Sequence, residues 1–200
     1  MASIITATTT NGLTQAADNS GVLQLASGAG NLITVPSATG TMLTNKSVGS
    51  VIQVVQGTPK SDTFSTTSTT LVDITGLSAT ITPTSASNKI LVFVDLHIGY
   101  SVYAGIVHLL RGSTKIYAGD GGLTRCGLYS NVYANPGNVL IPVTAVCYDN
   151  PATTSATTYK LQTATYGAGT QYVNRTGDNI NDPTRDGLTV STITLMEIVA

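Results

Sequence analysis

The stretch GLSATITPTSASNKILVFVDLHI, residues 76–98, decides the fold class. Leu77 to Thr82 alternates apolar and polar side chains with the period of two of a half-buried strand, and the run stops at Pro83. A short Ser/Thr/Asn-rich connection follows. Lys89 to Ile98 then runs apolar on both faces, as the central strand of a sandwich would.

The same rhythm extends in both directions. Upstream, Val51–Gln56 is a β run ended by Gly57-Thr58-Pro59, and Phe64 to Ile74 is a β-branched stretch suited to a pleated surface. Downstream, Gly105–Arg111 and Thr114–Ala118 are joined by Gly112-Ser113, a two-residue hairpin signal. Further runs follow at Val139–Tyr148, Thr157–Thr165 and Gln171–Val173, and a long polar loop leads to a last strand at Leu188–Val199. No segment shows helical periodicity. The pattern predicts an all-β chain whose residues 49–200 form an antiparallel β-sandwich, jelly-roll-like, of eight or nine strands.

Residues 1–48 differ in kind. They carry only Asp18 and Lys46 as charges and no aromatic residue, whereas all nine tyrosines and both phenylalanines follow Gly49. The alternating, turn-punctuated stretch ADNSGVLQLASGAGNLITVPSATGTMLT, residues 17–44, has the rhythm of extended β-structure but little with which to fill a core. A segment this short and this poor in large side chains is expected to depend on neighbouring copies or a docking partner.

Charged residues make up 10% of the chain and the net charge is −1, with no basic run, so a nucleic-acid partner is not expected. No apolar run approaches the roughly 20 residues of a membrane span, so membrane insertion is not expected. The start, MASIITATTTNG, lacks a charged segment followed by an apolar one, and Sec-type export is not expected. The two cysteines, Cys126 and Cys147, form no CxxC and no metal-ligand spacing. Free thiols are expected, with pairing as the alternative if their strands adjoin.

Taken together, GSVIQVVQG, TTSTTLVDITGLSATITPTSASNKILVFVDLHI, HLLRGSTKIYAG, DNPATTSATTYKLQ and the terminal STITLMEIVA resemble bacteriophage tail-fibre-like and other virion appendage proteins. The preceding ATGTMLT is similar to short repeats in the N-terminal shafts of phage fibres. The resemblance implies a homotrimer at the virion surface, on tail or capsid, made in the host cytoplasm. Residues 1–48 would be its attachment or shaft segment, docking on other virion proteins, and residues 49–200 its head. It brings no catalytic residues and no cofactor. The role it implies is host attachment through surface polysaccharide or protein; the alternative is a tail or capsid decoration protein without a receptor role.

Several constellations bear on chemistry. Asp95 and His97 share a strand face, and with His108 and the abundant serines they contain the residue types of a nucleophile, base and orienting acid. Without a GxSxG elbow, a hydrogen-bonded polar pair is the better reading. The loop of residues 178–187 is acidic, yet Ile180 interrupts the D-x-[DN]-x-[DN]-G spacing, so it reads as a solvated loop and no metal is expected. Asn174-Arg175-Thr176 matches a glycosylation sequon, which matters only in a eukaryotic secretory route. The scattered acidic residues do not suggest the carboxylate pair of a depolymerase. Tyr129, Asn131, Tyr133 and Asn135, with Tyr172, Asn174 and Arg175, are the candidate receptor-binding residues, since rings and amides stack on and hydrogen-bond sugars. The competing reading places these tyrosines at strand ends or subunit contacts.

Overall fold

The computed structural model describes residues 48–101, 105–117, 139–165, 167–178, 182, 184 and 186–200, with the backbone alone of residues 23–26, 32–35 and 129–130. The chain divides into two compact units, 1–44 and 45–200. In the first, β1 (Leu23–Ala26) and β2 (Leu32–Val35) pair antiparallel, Leu23 opposite Val35 and Ala26 opposite Leu32.

The second unit is an all-β sandwich of antiparallel strands, without a helix among the described residues. Its first half contains β3 (Val51–Gln56), β4 (Phe64–Thr66), β5 (Val72–Ile81), β6 (Lys89–Tyr100), β7 (Gly105–Arg111) and β8 (Thr114–Ile116). Its second half contains β9 (Tyr129–Ser130), β10 (Leu140–Asp149), β11 (Thr157–Thr165), β12 (Gln171–Val173) and β13 (Thr192–Ile198). One sheet runs β3-β13-β6-β12-β4, with β10 on the other side of β6; the second runs β5-β11-β7-β8, with β9 also against β7.

Alternation along each strand builds the core between the sheets. Ile90, Val92, Val94, Leu96 and Ile98 of β6 point inward with Val143, Ala145 and Cys147 of β10 and Ile193 and Leu195 of β13. They meet Ile74, Leu77, Ala79 and Ile81 of β5, Val107 and Leu109 of β7, and Tyr159 and Leu161 of β11. Burial of these aliphatic side chains, at about 1.5–3 kcal/mol each, is the main favourable contribution to folding.

Two expectations change. The runs Phe64–Ile74 and Leu77–Thr82 divide elsewhere: β4 ends at Thr66, and β5 continues from Val72 to Ile81 through Gly76. The register against β11 shifts between Lys160 and Gln162, and Gly76 has φ +81°. This bulge lets Ile74 and Leu77 both face the core, which strict alternation would forbid. The last strand is also shorter than expected. Leu188 makes only an isolated bridge to Arg175, and Ser191 one to Lys60, before β13 begins at Thr192.

The expected hairpin at Gly112-Ser113 is present between β7 and β8, with Arg111 opposite Thr114 and Gly112 at φ +59°. The strand β6 is central in its sheet, but only one of its faces is covered by the second sheet. Of its odd-numbered, outward residues, Lys89, Leu91, Phe93 and His97 are half-buried and Asp95 is exposed.

A polar clamp joins the two sheets at one end of the core. Asp149 of β10 takes two 2.8 Å hydrogen bonds from Arg111 Nη1 and one of 2.6 Å from the Tyr159 hydroxyl. Arg111 Nη1 also donates to the Asn150 carbonyl at 2.9 Å. Burial, then the bond to Asp149, pushes the Tyr159 hydroxyl well above its ordinary range, so it stays a donor. Cys147 is a free, buried thiol, pushed up by burial and then by the Asp149 charge; Cys126 lies outside the described residues. Removing the carboxylate leaves a buried phenol without its acceptor and a partly buried guanidinium with only the Asn150 carbonyl. Asp149→Ala is therefore expected to lower stability by about 2–4 kcal/mol in urea unfolding. Arg111→Ala is expected to cost about 1 kcal/mol, because the arginine is partly solvated. Equal costs for the two would refute the clamp as described.

Candidate functional site

Alternation also decides what the outer face of the larger sheet offers. Tyr172 is the middle residue of β12, between the buried Gln171 and Val173, and it lies opposite Gly99 of β6 and Ser65 of β4. Gly99 has a steric role: a Cβ there would run into the Arg175 carbonyl, so only glycine lets residues 175–176 pass so close. The Arg175 guanidinium lies 3.8 Å from the centroid of the Tyr172 ring, a cation–π pair at the half-exposed end of the sheet.

Further along the same face, Asp95 and His97 are neighbours, as their spacing implies. His97 Nδ1 stands 4.0 Å from Asp95 Oδ1, and Nδ1 has no hydrogen-bond partner among the described residues. His108 belongs to the other sheet: it is buried on β7 opposite Gln162, so the two histidines sit in different sheets.

Asn174 requires a correction. It is fully buried, and its side chain is committed to the protein itself, so it is not a surface residue for a receptor. Nδ2 donates to the carbonyls of Lys60 (2.7 Å) and Asp62 (3.0 Å), and Oδ1 accepts from Ser191 Oγ at 2.6 Å. Its backbone N donates to the His97 carbonyl at 2.9 Å. This hub fills a junction. Along one side of β6, β13 pairs with residues up to Asp95 and β12 pairs from Ile98 onward, which leaves His97 between them. Ser191 Oγ accepts from the His97 amide at 3.1 Å, completing the bridge.

The seven candidate receptor-binding residues thus separate. Tyr172 and Arg175 come together and are partly exposed. Asn174 is structural. Tyr129 is described only as backbone on β9 opposite Val107, and Asn131, Tyr133 and Asn135 lie outside the described residues. Because Arg175 covers one face of the Tyr172 ring, that face is not free to stack on a sugar. The guanidinium beside it is the more accessible hydrogen-bonding group.

In the loop 178–187, only residues 178, 182, 184, 186 and 187 are described. Asp182 Oδ1 accepts from Thr184 N (2.8 Å) and Oγ1 (2.6 Å), and Asp186 Oδ2 accepts from Asp182 N at 3.0 Å. These carboxylates act as turn formers, and no group of three His, Cys, Asp or Glu converges among the described residues.

A buried network was missed in the sequence. Glu197 of β13 is fully buried, and its Oε1 accepts from Thr84 N (2.7 Å), Thr84 Oγ1 (2.8 Å) and Asn88 Nδ2 (2.7 Å). With its amide nitrogen turned inward, Gln53 of β3 adds a bond of 3.1 Å to Oε2 and one of 3.2 Å to the Thr82 carbonyl. Burial presses the carboxyl upward, but the hydrogen bonds from Asn88, Thr84 and the Ser85 backbone outweigh it and hold the group below its ordinary range. The signal in the sequence was phase: Glu197 sits two residues after Leu195 and four after Ile193, on the apolar side of its strand.

Fold and site together define a class, an antiparallel β-sandwich with an open, aromatic-bearing sheet face. Beyond that class, no protein-family model matches the chain, and no curated protein matches it.

Proposed function

We propose that this chain is a non-enzymatic structural protein of a bacteriophage particle, a fibre-like trimeric appendage. It would attach through residues 1–48 and present the sandwich, read as a jelly-roll head, to the host surface. The observation that carries this reading is the union of two unlike units in one chain. One is small, nearly uncharged and without aromatic residues; the other has a complete core of its own. The jelly-roll reading draws support from the long strands β5, β6, β7, β10, β11 and β13, which alternate between the two sheets wherever the connection is direct.

The alternative, a decoration protein without a receptor role, is favoured by one observation. Two of the three candidates at residues 172–175 are engaged within the protein, Asn174 by burial and Tyr172 by the Arg175 stack. Light scattering on the full chain is expected to give three times the 20.5 kDa chain mass, and a monomer would sink the trimer. Labelling of host cells that disappears when residues 129–135 are replaced would support attachment. Firm particle association with no labelling would support decoration.

A further inference from the structure

We propose that the outward face of β3, β13, β6 and β10 is the contact through which copies of this chain assemble, a cyclic contact in which each copy offers one flank to each neighbour. The inference rests on the trimer reading above and adds where the copies meet.

Register places the outward side chains in rows across four strands. Val54, Met196, Leu91 and Tyr148 form one row; Gln56, Thr194, Phe93 and Val146 form the next; Val51, Ile198 and Lys89 continue the face. The middle of the face is half-buried by its own neighbours. The two flanks are not: Val54 on β3 is 57% exposed, and Val146 and Tyr148 on β10 are 54% and 60% exposed. Two rows on four strands and one on three cover roughly 300–400 Å² of flat footprint, the polar Gln56, Thr194 and Lys89 included. That is about the size of the largest surface patch on a typical monomer, which is often functional. It also suits the dry centre of an interface whose standard size is about 800 Å² per partner.

The chemistry of the face selects a copy of the same chain as the occupant. On the outward positions of these strands, Lys89 and Asp95 are the fixed charges, of opposite sign and at opposite ends, so the apolar centre is neutral. The polar members of the face, Gln56, Thr192, Thr194 and Thr144, are uncharged, which suits neither an acidic nor a basic partner. A neutral face does not repel its own copies, and a chain with only 10% charged residues adds little repulsion elsewhere. Cyclic assembly needs two different patches on each subunit, and β3 and β10 supply exposed apolar flanks on opposite margins of one surface.

The test is light scattering and sedimentation of the full chain carrying Val54→Lys on one flank, Tyr148→Lys on the other, and both together. Leu188→Lys serves as the control, an exposed apolar residue outside these four strands. Each flank variant is expected to weaken association at least about tenfold, as loss of a central contact does, with an unchanged circular dichroism spectrum. The control is expected to keep the wild-type mass. Should a lysine variant fail to fold, Val54→Thr with Tyr148→Ser keeps the strands and carries the same test. An oligomer whose mass and affinity are unaffected by the double variant would overturn the face while leaving the trimer intact. A monomeric wild-type chain would overturn both.

Discussion

Asn174→Ala is expected to lower the stability of the sandwich by about 3–4 kcal/mol and its melting temperature by roughly 10 °C. Three side-chain hydrogen bonds disappear, and two of them, to the Lys60 carbonyl and from Ser191 Oγ, are buried. Ser191 Oγ loses its acceptor while remaining in a fully buried position. The backbone adds its own cost. Asn174 has φ +64°, a left-handed conformation that asparagine tolerates and that costs an alanine about 1 kcal/mol more. Asn174→Gly separates the two contributions, since it relieves the backbone but restores no hydrogen bond. It should be about 1 kcal/mol less damaging than the alanine. Asn174→Asp is expected to be worse at pH 7 than at pH 4, because its carboxylate would face the Lys60 and Asp62 carbonyls. An alanine variant melting within about 2 °C of wild type would show that the junction at His97 does not need its bridge.

Glu197→Ala is expected to cost about 3 kcal/mol, with a change in the pH profile that a merely steric role would not produce. The alanine leaves the Thr84 amide without its acceptor and Asn88 Nδ2 with only a 3.3 Å bond to Thr84 Oγ1, and it unties the 82–88 connection from β13. Because the folded carboxyl is held below its ordinary value, the native state prefers the ionised form. Its contribution is therefore fully present above the unfolded value of about 4.3, and it is lost as pH falls from there through the folded value. Wild type should lose stability below about pH 5, and Glu197→Gln, about 1–2 kcal/mol less stable at pH 7, should lose less over that range. Asp73, lowered by its bonds from Lys160 and Gln162, titrates with the same sign in both proteins and cancels in the comparison. Parallel profiles for wild type and Glu197→Gln between pH 3 and 6 would show that the carboxylate is not the stabilising species.

TPTSASNK and TLMEI are joined through Glu197, Thr84 and Asn88, a network that fixes the connection leading into β6. Such residues hold the sandwich's strand connections in place.

Local chemistry alone determined a good deal. Period-two alternation and β-branched runs placed most of the strands, and Gly112-Ser113 placed the hairpin, because side-chain direction and turn geometry depend on neighbours in sequence. The run from Lys89 to Ile98 was legible as the centre of a sheet, because an edge strand would not carry apolar residues on both faces. Tertiary structure decided the rest. The sequence around Asn174 is that of an exposed polar loop, and only the change of partner along β6 turns it into a buried bridge. Likewise Asp149, Arg111 and Tyr159 are scattered polar residues until two sheets bring them within hydrogen-bonding distance. Leu91 and Phe93 show the limit most clearly. Alternation says that they share a face, but whether that face meets a second sheet, solvent or another copy depends on strands far away in the chain.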